Sequence, residues 1–280
     1  MKTAAGWADV RLMGLVLPLP LVVALAYVIP FLGLAGWSLR SAEGGFSLDA
    51  YRDLLTTGSF VPIMARTFRI AALTTMISVV IGGLLAYVWV FAEPRMRLLV
   101  EITVLVPFWI SVLVRAFAWL VLLGRSGPLS EAASALGLTD GPVSFTRNEF
   151  AVVVGMVHYM IPYAVFPILS ALRAMDPRLL LAAQSLGASQ AKRFWTVLVP
   201  LAMPGIAAAS IIVFVFALGF FVTPALLGGG RVMLVAEYIY TQIFQLADWP
   251  KGTAATVLLM LCVGVLFGVL ALTQRTWRRR

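Results

Sequence analysis

Residues 174–206, AMDPRLLLAAQSLGASQAKRFWTVLVPLAMPGI, form a polar stretch between two strongly apolar segments. Asp176 is a favourable N-cap for a helix of good helix formers. That helix should end at Gly187, the residue type expected just past a helix C-terminus. Ser189 can cap a second helix, which we expect to stop at Pro200. The stretch therefore predicts two short, water-exposed helices joined by a turn, an arrangement suited to docking a partner.

Composition identifies the class of protein around this stretch. Of 280 residues, 61% are hydrophobic and only 12% are charged. Soluble domains carry roughly a quarter charged residues, so a polytopic membrane protein is indicated. The formal net charge of +9 does not indicate nucleic-acid binding, because the basic residues are not gathered into one soluble patch. The single cysteine, Cys262, excludes an intrachain disulfide and a cysteine metal cluster.

The apolar segments are long enough to cross a bilayer, which takes about 20 residues per helix. We therefore predict an all-α membrane protein that forms one transmembrane domain over residues 1–280. The expected spans are 12–37, 70–91, 98–123, 150–172, 201–222 and 254–272.

Basic residues predict the orientation of these spans, since Lys and Arg concentrate on the cytoplasmic side. The two termini and the loops 92–97 and 173–200 hold 12 basic and three acidic residues, whereas the opposite side holds eight of each. Both termini and the 174–200 loop are therefore expected in the cytoplasm.

Polar side chains inside the predicted spans are candidates for function. An arginine within a span is costly unless it faces protein or water, so Arg115 indicates a pathway or an interhelical contact; snorkelling to the interface is the alternative. Tyr159 and Tyr163 share a helix face with i, i+4 spacing. His158 is read as a bundle hydrogen-bonding residue before a functional one. With no HExxH motif or paired Cys and His, no metal site is predicted.

The 174–206 stretch resembles the cytoplasmic loop of ABC-importer membrane subunits. The family pattern is Glu-Ala-Ala, three residues, Gly, nine residues, Ile, one residue, Leu-Pro. Six positions match here, and one departs, because Leu181 stands where the family has Glu. The resemblance implies a coupling helix that docks on an ATPase, and the residues assigned to that role are Arg178, Leu181, Ala182, Ala183, Gly187, Lys192, Arg193 and Pro200.

Further segments, among them VPFWISVLVRAFAWLVLL and FVTPALLGGG, resemble the spermidine/putrescine-type branch of these permeases. The resemblance implies a type I importer permease in the bacterial inner membrane. Its implied partners are a second homologous permease, two ATPase subunits and an extracytoplasmic binding protein. It also implies a polyamine cargo, which carboxylates and aromatic faces recognise. The pathway candidates are Trp109, Arg115, Trp119, Glu149, His158, Tyr159, Tyr163, Phe220, Glu237, Tyr238 and Asp248.

Missing motifs argue against other classes. There is no GxxxxGK[ST] phosphate loop, so ATP is expected to bind a partner subunit, and no cofactor is expected. No GxSxG elbow is present, which disfavours an enzyme. An ion-coupled secondary transporter needs paired polar groups at mid-bilayer, and only Arg115 and His158 lie well inside spans. Another small cation, zwitterion or anion remains an alternative cargo.

Overall fold

The structure is a computed structural model that describes residues 18–40 and 45–277, with the backbone alone for 269–277. Within these ranges the chain is helical, with no β-strand beyond an isolated bridge between Arg40 and Phe46. The α-helices, numbered α1–α13 in order, are Pro18–Ser38, Asp49–Thr56, Phe60–Phe91, Pro94–Trp109, Val112–Leu123, Pro128–Ala135, Glu149–Arg173, Arg178–Ser185, Gln190–Arg193, Val199–Leu218, Val222–Gly228, Val235–Tyr240 and Trp249–Trp277.

Six helical stretches are long and apolar enough to cross a membrane, which confirms the six-span, all-α fold class. They are Pro18–Ser38, Phe60–Phe91, Val112–Ala135, Glu149–Arg173, Gln190–Leu218 and Trp249–Gly268. Large apolar side chains are exposed over most of these helices, as a bilayer permits. Residues 12–17 of the first predicted span lie outside the described residues.

The chain divides into two compact units. A terminal unit comprises Met1–Val61 and Tyr238–Arg280, and a central unit comprises Pro62–Glu237. The prediction that the whole chain forms one transmembrane domain stays a prediction.

The third predicted span, 98–123, is wrong as a continuous helix. It is divided between α4 and α5 at Ile110 and Ser111, whose ψ angles of 135° and 141° are not helical. Pro107 lies inside α4, and the Ile110 N–H donates to the Pro107 carbonyl, three residues earlier, at 3.1 Å, so α4 ends in a tightened turn. Arg115 therefore lies near the start of α5 and not in the middle of one long helix.

The fifth predicted span, 201–222, is displaced towards the N-terminus. The helix does not stop at Pro200: α9 continues through a π-helical turn, Phe194–Leu198, directly into α10. The Val199 N–H bonds to the Phe194 carbonyl, five residues earlier, so the hydrogen-bonding register changes just before the proline. At the other end the helix stops at Leu218, and the break precedes Pro224, which occupies the first turn of α11 where a proline is tolerated.

The core of the central unit is built around α7. Its buried face packs extensively on α10 and also contacts α4, α5 and α11. Close approach depends on small residues: a Cβ at Gly82 of α3 would lie 2.7 Å from the Ala164 Cβ, and one at Gly205 of α10 would lie 2.7 Å from the Ala171 Cβ. Small residues at helix interfaces let transmembrane backbones pack by van der Waals contact. This packing fixes the faces of α7 that carry the polar candidates.

The terminal unit is organised along α13. Helix α1 packs beside it, with the Trp37 and Trp249 rings 6.0 Å apart, and α2 packs near its start. An ion pair of 3.5 Å between Lys251 and Asp53 joins α13 to α2.

Candidate functional site

Arg115 is the most unusual side chain of the central unit. It is only 8% exposed, and its Nε and Nη1 atoms are buried without a hydrogen-bond partner in the described part of the chain. Its guanidinium carbon lies 4.3 Å from the centre of the Tyr159 ring, a cation–π contact. Since α5 carries Arg115 and α7 carries Tyr159, the packing of two helices creates this contact, and the donors that remain unused can still bind an anion or water.

A group of aromatic rings surrounds this contact. Tyr159 and Tyr163 stack with their centres 5.8 Å apart; Phe220 lies 4.7 Å from Tyr159, and Phe216 and Phe108 lie 4.9 and 5.7 Å from Tyr163. We call these five residues the aromatic cluster. They come from α4, α7, α10 and the break after α10, so the cluster joins three helices of the central unit. Its faces offer weak attraction to any organic cation.

Of three further pathway candidates, Trp119 and His158 contact each other, whereas Trp109 lies apart from them. The Trp119 indole N–H donates to His158 Nδ1 at 3.1 Å, so this histidine is used in an interhelical hydrogen bond. Trp109 follows Phe108 at the end of α4, but its side chain is 84% exposed and it makes no described contact with the five rings other than Phe108. Trp109 is therefore not grouped with the other candidates.

The acidic candidates of the central unit are in different environments. Glu149, in the first turn of α7, pairs with Arg69 at 2.5 Å and with Arg66 at 3.4 Å. Its charge is thus already neutralised by two arginines of α3. Glu237 is partly buried, its Oε2 atom has no hydrogen-bond partner among the described residues, and burial raises the pKa of its carboxyl above the ordinary 4.5.

The remaining two candidates belong to the terminal unit. Tyr238 is buried against Phe60, with ring centres 5.3 Å apart. Asp248 caps α13 by accepting the Lys251 N–H at 3.0 Å. Both residues thus have structural contacts within their own unit.

The 174–200 loop begins with the predicted short helix, α8, and the predicted turn, but the second predicted helix is not separate, because α9 continues through the π-helical turn into α10. Asp176 Oδ1 accepts the Arg178 N–H at 2.9 Å, at the start of α8, and Ser189 Oγ accepts the Lys192 N–H at 3.3 Å, at the start of α9. Gly187 has φ +79°, and N–H groups at 187 and 188 return to the carbonyls of residues 184 and 183. This is a Schellman C-cap, which requires the left-handed conformation that glycine adopts readily.

Leucines are exposed on α8 and at its C-cap, beside exposed polar residues such as Arg178 and Gln184. The side chains of Leu181 and Leu186 are 61% and 88% exposed, whereas Leu180 packs inwards against the core of the central unit. Arg193 Nη1 donates to Gln184 Oε1 at 2.8 Å and ties α9 to α8. Arg178, Ala182, Lys192 and Pro200 are exposed and Ala183 is half-buried. The loop therefore presents leucines to solvent on a framework held by polar contacts.

Several residues of these sites could not be singled out from their spacing in the sequence. Phe216 and Phe220 share i, i+4 spacing, which was an available signal, but Phe108 joins the cluster only through helix packing. Arg69 and Arg66 become partners of Glu149, which lies 80 or more positions along the chain. No local pattern identifies such long-range contacts.

The comparisons with known proteins define the class. The family model "binding-protein-dependent transport system inner membrane component" matches residues 13–279, so the chain belongs to this family. It is a non-catalytic, multi-pass translocation subunit of an ABC importer in the inner membrane, and it works with an ATPase and a solute-binding protein.

Individual relatives are more specific. The chain is 33% identical over 217 residues to the spermidine/putrescine permease protein PotB of Haemophilus influenzae, covering 76% of each chain. It is 32% identical to PotB of Escherichia coli, covering 79% of this chain and 80% of PotB. It is also 32% identical over 195 residues to the molybdenum permease protein ModB of Azotobacter vinelandii, covering 66% of this chain and 84% of ModB.

Solved structures agree on the fold. A chain of a bacterial importer of the acidic polysaccharide alginate superposes with a TM-score of 0.77 at 19% identity, covering 96% of this chain and 98% of that one. The same class of transporter in complex with an alginate-bound periplasmic protein gives a TM-score of 0.75 at 20% identity. At this identity the likeness extends to the fold alone.

Proposed function

We propose that this importer subunit translocates a polyamine of the spermidine/putrescine type. The observation that carries the proposal is the identity of 32–33% over three quarters of the chain to PotB proteins of two organisms. The aromatic cluster supports it, because ring faces attract ammonium groups without binding them so tightly that release is prevented.

A second cargo, a small oxyanion, is favoured by one specific observation. The buried guanidinium of Arg115 has unused donors beside the cluster, and arginine is suited to oxyanions. The similarity to ModB points in the same direction. A polycation would instead meet repulsion from this charge, so the two cargoes make opposite demands on Arg115.

The 174–200 loop is proposed to dock on the ATPase. In this proposal Leu181 and Leu186 enter an apolar surface of the ATPase, where the family has a carboxylate at position 181. Burial of a leucine contributes about 2 kcal/mol, enough to replace an exposed ion pair of about 0–1 kcal/mol. The dock would then depend less on salt than a charged one.

The proposed assembly contains this chain, a second homologous permease and two ATPase subunits, with both termini and the loop in the cytoplasm. ATP is proposed to bind the ATPase, since the chain carries no phosphate loop. The excess of basic residues on the loop side supports this orientation.

Reconstituted vesicles test the cargo. The assembled transporter with its binding protein should accumulate labelled spermidine or putrescine when ATP is supplied, and should not when the ATPase is omitted. A binding protein that retains only an oxyanion would overturn the polyamine proposal and leave the importer assignment intact.

A further inference from the structure

A cleft that the transport mechanism does not use lies where three helices of the central unit end. It has a volume of about 250 Å³ and lies between the end of α3, the first turn of α4 and the end of α7. Its lining residues are Val90, Phe91, Arg97, Leu172, Arg173, Met175 and Pro177. The cleft thus combines two guanidinium groups with an apolar wall.

Both arginines are positioned by neighbouring side chains, and Arg97 is partly neutralised by Glu101. Arg173 rests on the Trp89 ring, with its guanidinium carbon 5.8 Å from the ring centre, and makes no ion pair among the described residues. Arg97 uses Nε for Glu101 at 3.5 Å, and its two Nη groups make no described ion pair. Glu101 is itself oriented by the Trp89 indole N–H, which donates at 2.7 Å. One tryptophan therefore supports both arginines, directly or through Glu101.

The surface beside the cleft is apolar. Along α4, after Arg97, the side chains of Leu98, Leu99, Ile102 and Val106 are all exposed. A basic site at the end of transmembrane helices, continued by an apolar helix face, matches a phospholipid in both its parts: headgroup and acyl chain. Basic pockets between transmembrane helices near the membrane surface are recurrent sites for anionic headgroups.

We propose that this cleft binds the phosphate of an anionic phospholipid through Arg97 and Arg173. The planar guanidinium forks suit phosphate oxygens, and the charge of Arg173, which no described ion pair neutralises, favours an anionic over a zwitterionic headgroup. The cleft is smaller than the pockets of about 300–1,000 Å³ that enclose drug-sized ligands, so it holds a headgroup while the chains lie along α4. The bound lipid would fix the ends of α3 and α7 next to the 174–200 loop.

Lipid retention by the assembled transporter tests the site. The transporter is purified in a neutral detergent, and bound phosphatidylglycerol and phosphatidylcholine are compared by native mass spectrometry. At roughly 1 kcal/mol per arginine, we expect R97Q or R173Q to weaken phosphatidylglycerol binding about fivefold and the double variant by more than tenfold. The control is R95Q, because Arg95 lies on the same turn but does not line the cleft.

Each other outcome overturns the proposal. If R95Q weakens phosphatidylglycerol binding as much as the cleft variants do, the lipid is held by diffuse surface charge. If the double variant binds phosphatidylglycerol as wild type does, the cleft is not the lipid site. Displacement of the lipid by millimolar inorganic phosphate would identify a soluble-anion site. If the double variant no longer retains the ATPase but still binds the lipid, this face is a protein interface and not a lipid site. If the double variant does not fold, two other measurements test the site. They are the preference of the wild type for phosphatidylglycerol over phosphatidylcholine, and lipid binding by the R97K/R173K variant, which keeps both charges.

Discussion

The charge of Arg115 distinguishes the two proposed cargoes at the residue scale. It occupies the Tyr159 face that an ammonium group of the cargo would use. Removing it by Arg115→Gln should lower the spermidine KM about two- to fivefold, because competition at a ring face is of the order of 0.5–1 kcal/mol. The spermidine KM of both proteins is measured from uptake by reconstituted vesicles.

The matched variant Arg115→Lys keeps the charge and should leave the spermidine KM near the wild-type value. If Arg115→Gln instead abolishes uptake while Arg115→Lys retains part of it, the arginine binds an anionic cargo and the polyamine proposal is wrong.

Glu237 is expected to make stability depend on pH. Burial raises the pKa of this carboxyl above 4.5, so the folded state binds the proton more tightly than the unfolded chain. Stability is then fully present below pH 4.5 and falls as pH rises through the raised value. Glu237→Gln, which stays neutral, should raise Tm at pH 7 and leave Tm nearly unchanged at pH 4.5.

Melting curves of the detergent-solubilised protein at the two pH values measure the difference. The control is Glu131→Gln, an exposed glutamate of α6, which should show no such pH-dependent gain. An equal gain at both pH values would assign the effect to something other than titration.

The turn between α8 and α9 is decisive at the element scale. A Cβ at Gly187 would meet no atom within 4 Å, so a side chain has room and only the backbone conformation is restrictive. Asn and Asp both tolerate the left-handed conformation, so this pair isolates the effect of charge. We expect Gly187→Asp to lower ATP-dependent uptake at least tenfold, since burying an unpaired carboxylate in an apolar dock costs several kcal/mol.

Gly187→Asn should stay within about threefold of wild type, because it adds similar volume without charge. Uptake and ATPase activity unchanged in Gly187→Asp would count against a coupling role for this turn.

The exposed leucine of α8 offers a second test of the loop. Leu181→Gln should weaken co-purification of the ATPase roughly tenfold, the effect of losing about 1.4 kcal/mol of apolar burial. Leu138→Gln is the control, since Leu138 is also exposed but lies in the 124–149 loop. Equal retention of the ATPase by both variants would exclude an apolar dock at position 181.

Local chemistry explains which elements were predictable. Hydropathy predicted six spans, and Asp176, Gly187 and Ser189 predicted both ends of α8 and the start of α9, because span length and capping depend on nearby residues. The break at Ile110 and the π-helical turn before Pro200 were missed. The π-helical turn lies directly before Pro200, whose missing N–H removes a helix hydrogen bond, whereas the break at Ile110 comes after Pro107 and has no such local cause.

In the candidate sites, too, contacts within one helix were predictable and contacts between helices were not. Tyr159 and Tyr163 were paired by their spacing, and the structure stacks their rings. Phe108 and the arginine partners of Glu149 come from other helices, so sequence spacing carries no trace of them. Glu149 was predicted as a pathway candidate, and two arginines of another helix neutralise it.

Membrane topology is the prediction that belongs to the whole molecule. The inverted topology would place the basic residues of the loop and termini on the outer face, against the rule that Lys and Arg concentrate on the cytoplasmic side. Because the chain has one cysteine, Cys262, a Cys262→Ser background reports on single introduced thiols. Ser144→Cys and Ser185→Cys both introduce a thiol at an exposed position. One span, Glu149–Arg173, lies between them, so the two positions should be on opposite sides of the membrane. We expect a membrane-impermeant maleimide to label position 144 in spheroplasts and position 185 only after permeabilisation; the reverse pattern would invert the proposed orientation and place the 174–200 loop beyond the reach of a cytoplasmic ATPase.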